Sequence, residues 1–351
     1  MLAKPAVIVA PGRWQSPLPR ASLAITMSEI PIPQLEDVRA AVRRTREHLH
    51  HTPLVHSRTF SEWLGYEVYL KCENLQKTGS FKPRGGLNRI STLAPEESAR
   101  GVITISAGNH AQGVAYAAAR LQVRAVIVMP ENAVPSKVEA ARSYGAECIL
   151  HGDVHAAFEK LHELQESRGL TLVHPFDDAM LVAGHGTVGW EIHEDLPQVD
   201  AVVCGIGGGG LIAGIATAMR ELAPDVRLFG VEPEGAATMS EALAAGAVVR
   251  LEELDTIADG LAPPFVGELN LAVVRSSVEK VVRVSDAAIS RAMRMILERT
   301  KMLAEPAGAA ALAALLEGQL PIDPGSTVAV VISGGNVDLD RLPELISSPA
   351  R

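Results

Sequence analysis

Aromatic residues are scarce in this chain, 4% of the total. That is too few for the stacking platforms that read single-stranded nucleic acid. Positive charge is also short. Lys and Arg number 32 against 41 Asp and Glu, for a net charge of −9. An acidic chain of this kind is a poor general partner for phosphate backbones, so nucleic acid is excluded as a partner. There are three cysteines, Cys72, Cys148 and Cys204, far apart and with no Cys-x-x-Cys. That excludes a disulfide frame and a zinc site, and reads as free thiols in a reducing cytoplasm. No run is long and apolar enough to cross a membrane, so no membrane partner is expected.

What is present is an α/β pattern. The length, 351 residues, suits two domains. Residues 1–27 stand apart, with little charge and no period; they read as a disordered extension or a start placed ahead of Met27. From Gly101 onward, short β-branched runs alternate with Ala-rich amphipathic stretches. Strands are expected at 101–105, 125–129, 146–150, 170–173, 201–204, 227–231 and 327–332. Helices are expected at 111–121, 135–144, 154–167, 211–222, 287–301 and 306–316. Alternation of this kind gives βαβ units and mostly parallel, open sheets in two lobes. Ligands of such sheets sit beyond the carboxyl ends of strands.

Four runs carry candidate chemistry. The first is Gly79-Ser80-Phe81-Lys82-Pro83-Arg84-Gly85. Pro suits the first turn of a helix, which puts Lys82 at a helix N-terminus. There the helix dipole and partial burial both disfavour its ammonium, so it is a candidate imine-forming lysine. The plainer reading is a solvated surface lysine. The second run, Ser106-Ala107-Gly108-Asn109-His110, lies between a strand and a helix and suits a carboxylate. It could equally be a turn with an Asn cap. The third is Gly205-Ile206-Gly207-Gly208-Gly209-Gly210. Four successive glycines cost too much chain entropy to be a mere turn, and their N–H groups at a helix start make a phosphate cradle. Gly205, Gly207 and Gly210 also fit a dinucleotide fingerprint with Glu232 beyond the next strand. An NAD site, however, leaves Lys82 without a role. The fourth is Ser333-Gly334-Gly335-Asn336, where a serine hydroxyl can meet a heteroaromatic nitrogen. Glu305 reads as a carboxylate facing a helix dipole. His174 to Asp178 and Gly184 to Thr187 read as hinge loops between lobes.

Taken together and in this order, these runs resemble the fold-type II pyridoxal phosphate enzymes, and within them the threonine/serine dehydratases. The resemblance covers about Pro31 to Asp338 and includes His174-Pro175-Phe176-Asp177-Asp178 and Glu305-Pro306-Ala307-Gly308. It implies a tryptophan synthase beta-like fold. Residues 28–74 and 176–351 would form a large cofactor domain, and 75–175 a small one. It implies pyridoxal 5'-phosphate as cofactor, held covalently by Lys82. Phe81 packs by its ring, Asn109 bonds the ring 3′-oxygen, Gly207, Gly208, Gly209, Gly210 and Leu211 bind the phosphate, and Ser333 bonds the pyridine nitrogen. Ser106, Ala107, Asn109 and His110 would hold the carboxylate of a small amino acid substrate. The implied reaction turns L-threonine into 2-oxobutanoate and ammonia, and L-serine into pyruvate. The alternatives are another 3-hydroxy amino acid, or serine racemisation. A homodimer or homotetramer is implied as well.

Two departures sharpen the expectation. Racemases of this family carry a serine where this chain has Ala107, which has no proton to give. The chain stops at Arg351 without the effector domain of the regulated biosynthetic members, so isoleucine feedback is not expected. A divalent-ion site would need an aspartate near Glu232, and its expected place is Thr238; no metal is assigned.

Overall fold

The computed structural model describes residues 31–347 together with the short strand Val7–Ile8, which pairs antiparallel with Val249–Arg250. The rest of the expected N-terminal extension lies outside the described residues.

The β-branched runs build two sheets. One has six strands in the order Lys280–Val284, Arg227–Pro233, Ala201–Gly205, Thr327–Val331, Glu67–Lys71 and Leu54–His56. All neighbours are parallel except the last pair. The other has four parallel strands, Glu147–Leu150, Ala125–Met129, Val102–Ile105 and Thr171–Leu172. The central strands are buried over their whole length, as in Ala125–Met129 and Ala201–Gly205. Helices on both faces account for these continuous apolar runs. The helix Pro306–Leu316 is buried all round, which its almost unbroken Ala and Leu permit.

One expectation is overturned. Gly184-His185-Gly186-Thr187 is not a hinge loop but the buried middle of the helix Ala179–Asp195. The glycines are there for close approach. A Cβ on Gly184 would lie 2.4 Å from the Arg84 carbonyl oxygen. Without side chains at such points, the helices that carry Lys82 and the glycine loop pack directly against this one.

Candidate active site

The catalytic candidates gather where strand ends meet helix starts. Lys82 is the first residue of the helix Lys82–Ser91, with Pro83 in its opening turn. The preceding segment is bonded to the large sheet: Phe81 N–H donates to the Ser333 carbonyl at 3.1 Å, and Ser80 bridges to Gly334. The Lys82 amine donates to the Pro175 carbonyl at 2.9 Å and lies 5.2 Å from the centre of the Phe81 ring. Burial lowers its pKa to about 8, with the charge of Glu305 opposing. Burial at a helix N-terminus disfavours the ammonium, as the sequence implied, whereas the face of the Phe81 ring attracts it.

The glycine run turns from the strand Ala201–Gly205 into the helix Gly210–Leu222. Gly209 adopts φ 88°, in the left-handed region. The turn leaves the main-chain N–H groups of Gly207, Gly208, Gly209, Gly210, Leu211 and Ile212 without an acceptor among the described residues. Most of this segment is buried. Six consecutive unmatched donors at a helix N-terminus fit a phosphate. The loop is braced from behind: Asn270 Nδ2 donates to the Gly208 carbonyl at 2.7 Å and to the Phe176 carbonyl at 2.9 Å. Phe176 follows Pro175, the partner of Lys82, so amine and cradle share one wall.

A second cradle lies at the start of the helix Asn109–Arg120. Gly108 N–H donates to Ser106 Oγ at 3.1 Å. The N–H groups of Ala107, Asn109, His110 and Ala111 have no acceptor among the described residues. The His110 ring is oriented by a carbonyl. Its Nε2 lies 3.2 Å from the Val173 carbonyl, which can only accept. Burial and the charge of Lys82 hold this imidazole well below its ordinary pKa. The ring is therefore neutral with its proton on Nε2. Nδ1 has no hydrogen to offer a carboxylate, and only the main-chain N–H of His110 can serve.

Ser333 is buried at 5% exposure, with a long contact of 3.4 Å from Oγ to the Ala307 carbonyl. Such a weakly held hydroxyl is free to turn toward a ring nitrogen. Phe81 packs edge-on against His185 at 4.8 Å between centres. Ser80 Oγ, also buried, has no partner among the described residues. The sequence reading gave no role to Glu305 in the site, nor to Asn336 and Asn270. Glu305 accepts from Asn109 Nδ2 at 2.6 Å, and Asn336 Nδ2 donates to Asn109 Oδ1 at 2.8 Å. Both lie in runs that the sequence singled out, but their partners are distant in the chain. His174, expected in a loop, takes N–H bonds from Phe176 and Asp177 on Nδ1, at 3.3 and 2.8 Å. Burial and Lys82 lower its pKa to about 3.

Glu232 is committed elsewhere. Its carboxylate accepts from Met239 N–H at 2.6 Å and from Ser240 N–H at 2.9 Å, at the start of the helix Thr238–Ala245. Thr238 Oγ1 turns to the Pro263 carbonyl. No cluster of three or more metal-ligating side chains occurs among the described residues.

A half-buried lysine of lowered pKa, set between two groups of unmatched N–H donors, suits an enzyme that forms an imine and binds anionic groups beside it. Comparison with known proteins agrees. The family described as "Pyridoxal-phosphate dependent enzyme" matches residues 45–334, and the chain belongs to that family. It is 45% identical to an L-threonine ammonia-lyase of Thermotoga maritima, over 89% of this chain and 78% of that one. It is 41% identical to a catabolic L-threonine dehydratase of Escherichia coli, over 89% and 95%. Among solved structures it resembles maize serine racemase, with TM-score 0.86 and 38% identity over 90% of this chain and 97% of that one. The fold is thus that of the fold-type II enzymes, and the cofactor is pyridoxal phosphate.

Proposed function

We propose that this enzyme is an ammonia-lyase that converts L-threonine to 2-oxobutanoate and ammonia, and L-serine to pyruvate. The observation that carries this reading is the lysine: a half-buried amine with pKa about 8, flanked by one cradle for a phosphate and one for a carboxylate. The identity to L-threonine lyases over most of the chain supports L-threonine as the substrate.

The residues divide the work. Lys82 would carry the cofactor covalently. The N–H groups of Gly207 to Leu211 hold its phosphate, reinforced by the helix dipole. Phe81 would pack by the ring, Asn109 would donate to its 3′-oxygen, and Ser333 would meet its pyridine nitrogen as a neutral partner. The main-chain N–H groups of Ala107, Asn109, His110 and Ala111, with Ser106 Oγ, hold the substrate carboxylate. When bound, the cofactor supplies an electron sink for the substrate α-carbon. Once the substrate amine has displaced it, Lys82 Nζ would be the free amine that takes the α-proton. With a pKa near 8, a useful share of the amine is neutral at physiological pH. The Pro175 carbonyl accepts one of its hydrogens and aims the group. The substrate would lose its β-hydroxyl as hydroxide, balanced by the α-proton taken up by Lys82, so that one water is lost overall. Hydrolysis of the resulting enamine would consume a water and release ammonia and the 2-oxo acid.

The racemase reading is disfavoured by Ala107. Racemisation needs a second proton carrier on the opposite face, and a methyl group cannot be one. L-Serine should give pyruvate faster than D-serine, measured by chiral chromatography alongside oxo-acid assay. The opposite ranking would select the racemase.

The decisive test is chemical. Borohydride treatment of the cofactor-loaded protein, followed by peptide mapping, should leave the label on Lys82. Lys82→Ala should lose both the label and turnover of L-threonine. A label on another peptide would refute the assignment.

A further inference from the structure

Glu305 stands at the N-cap of the helix Pro306–Leu316, yet its side chain makes no capping bond. It reaches instead toward the small sheet, where Asn109 Nδ2 donates to its Oε1 at 2.6 Å. Asn109 Oδ1 accepts from Asn336 Nδ2 at 2.8 Å, and the same Asn336 nitrogen donates to the Thr78 carbonyl at 2.6 Å. The direction of this chain is fixed at one end. A main-chain carbonyl only accepts, so Asn336 must turn its nitrogen to Thr78. The atom of Asn109 that meets this nitrogen is then its oxygen. Its own nitrogen must face Glu305, which has to accept. An amide nitrogen carries two hydrogens, and Glu305 fixes one of them.

The arrangement is tight. A Cβ on Gly334 would lie 2.2 Å from Glu305 Oε1, so the carboxylate is wedged beneath the residue that follows Ser333. Thr78 sits at φ 63°, in the left-handed region that a β-branched residue seldom enters. The bond from Asn336 therefore pins a strained point four residues before Lys82.

We propose that Glu305 is a positioning residue: it orients the Asn109 amide so that the second N–H faces the cofactor, and its ionisation sets the strength of that hold. This rests on the placement of Asn109 against the cofactor proposed above. Burial raises the Glu305 carboxyl to about pKa 7, opposed chiefly by the bond from Asn109. The charged groups facing it are Lys137, Asp259 and Lys82. A carboxylate is a stronger acceptor than a neutral acid, so the grip on Asn109 tightens as pH rises through about 7.

The test is equilibrium titration of apoprotein with pyridoxal phosphate from pH 6 to 8, followed by cofactor absorbance. Glu305→Ala should weaken binding about tenfold at pH 8, the worth of one charged hydrogen bond. Glu305→Gln keeps an acceptor and should stay within about threefold of wild type, but lose the inflection near pH 7. Asn109→Ala should match Glu305→Ala, and the double variant should cost no more than either alone. If Asn109→Ala binds like wild type, the placement of Asn109 falls, and this proposal with it. If Asn109→Ala is weakened while Glu305→Ala is not, Asn109 stands and the role of Glu305 falls. Should Glu305→Ala fail to fold, Glu305→Gln decides alone: an unchanged inflection overturns the proposal.

Discussion

A Cβ added at Gly208 would lie 2.2 Å from Cγ of Phe176, far inside contact distance. Phe176 cannot simply retreat, because its carbonyl is held by Asn270. The substitution must therefore move the loop that offers the unmatched N–H groups. Gly208→Ala should weaken pyridoxal phosphate binding about tenfold, the cost of losing or misaiming one such donor. Equilibrium titration reads this directly; wild-type affinity would show that the phosphate lies elsewhere. Residues with strong local grammar were legible at this scale. Lys82 before Pro83 and the four glycines each announce a helix start. His110 was legible in place but not in orientation. Which nitrogen of its ring is bonded depends on Val173, a residue from a strand end far along the chain.

At the scale of elements, the helix Thr238–Ala245 is started by a side chain from outside it. Glu232, at the end of its strand, takes two main-chain N–H bonds and the Ser240 hydroxyl at 2.7 Å. Glu232→Ala leaves those buried donors unmatched and should cost about 1–3 kcal/mol of stability. Denaturant unfolding checks it. Magnesium ions or a chelator should leave the wild-type melting temperature unchanged, because the carboxylate is already spent on N–H groups. A rise with Mg2+ would contradict this. The same scale shows why part of the fold escaped reading. Strands of Val, Ile and Ala and helices such as Pro306–Leu316 followed from apolar pattern alone. The helix Ala179–Asp195 did not, since Gly184-His185-Gly186 resembles a loop by propensity. Close backbone packing overrides that propensity, and the packing partner at Arg84 is remote in sequence.

Across the whole molecule, four buried charges tie the Lys82 helix to its surroundings. Arg84, at 1% exposure, bonds Glu73 through Nε at 2.7 Å and Glu191 through a terminal nitrogen at 2.7 Å. Lys71 donates to Glu191 at 2.7 Å and to the Thr52 carbonyl at 2.8 Å. The set is neutral as a whole, so each charge is tolerable only while its partners remain. The sequence concealed it, because charged residues far apart in the chain read as surface. Although burial opposes it, Arg84 and Lys71 hold the Glu191 carboxyl down to about pKa 2, from an ordinary value of 4.5. A folded pKa below the unfolded one stabilises the fold fully above the unfolded value. That contribution is lost as pH falls from about 4.5 toward 2. Glu191→Gln removes the titrating group and leaves Arg84 and Lys71 short of a counter-charge, at a cost of about 3–5 kcal/mol. The gap in unfolding free energy between wild type and Glu191→Gln should therefore be widest at neutral pH and narrow steadily below about pH 4.5. Denaturant unfolding of the two proteins between pH 7 and pH 3 measures that gap. A constant difference across the range would mean that Glu191 does not owe its charge to Arg84 and Lys71.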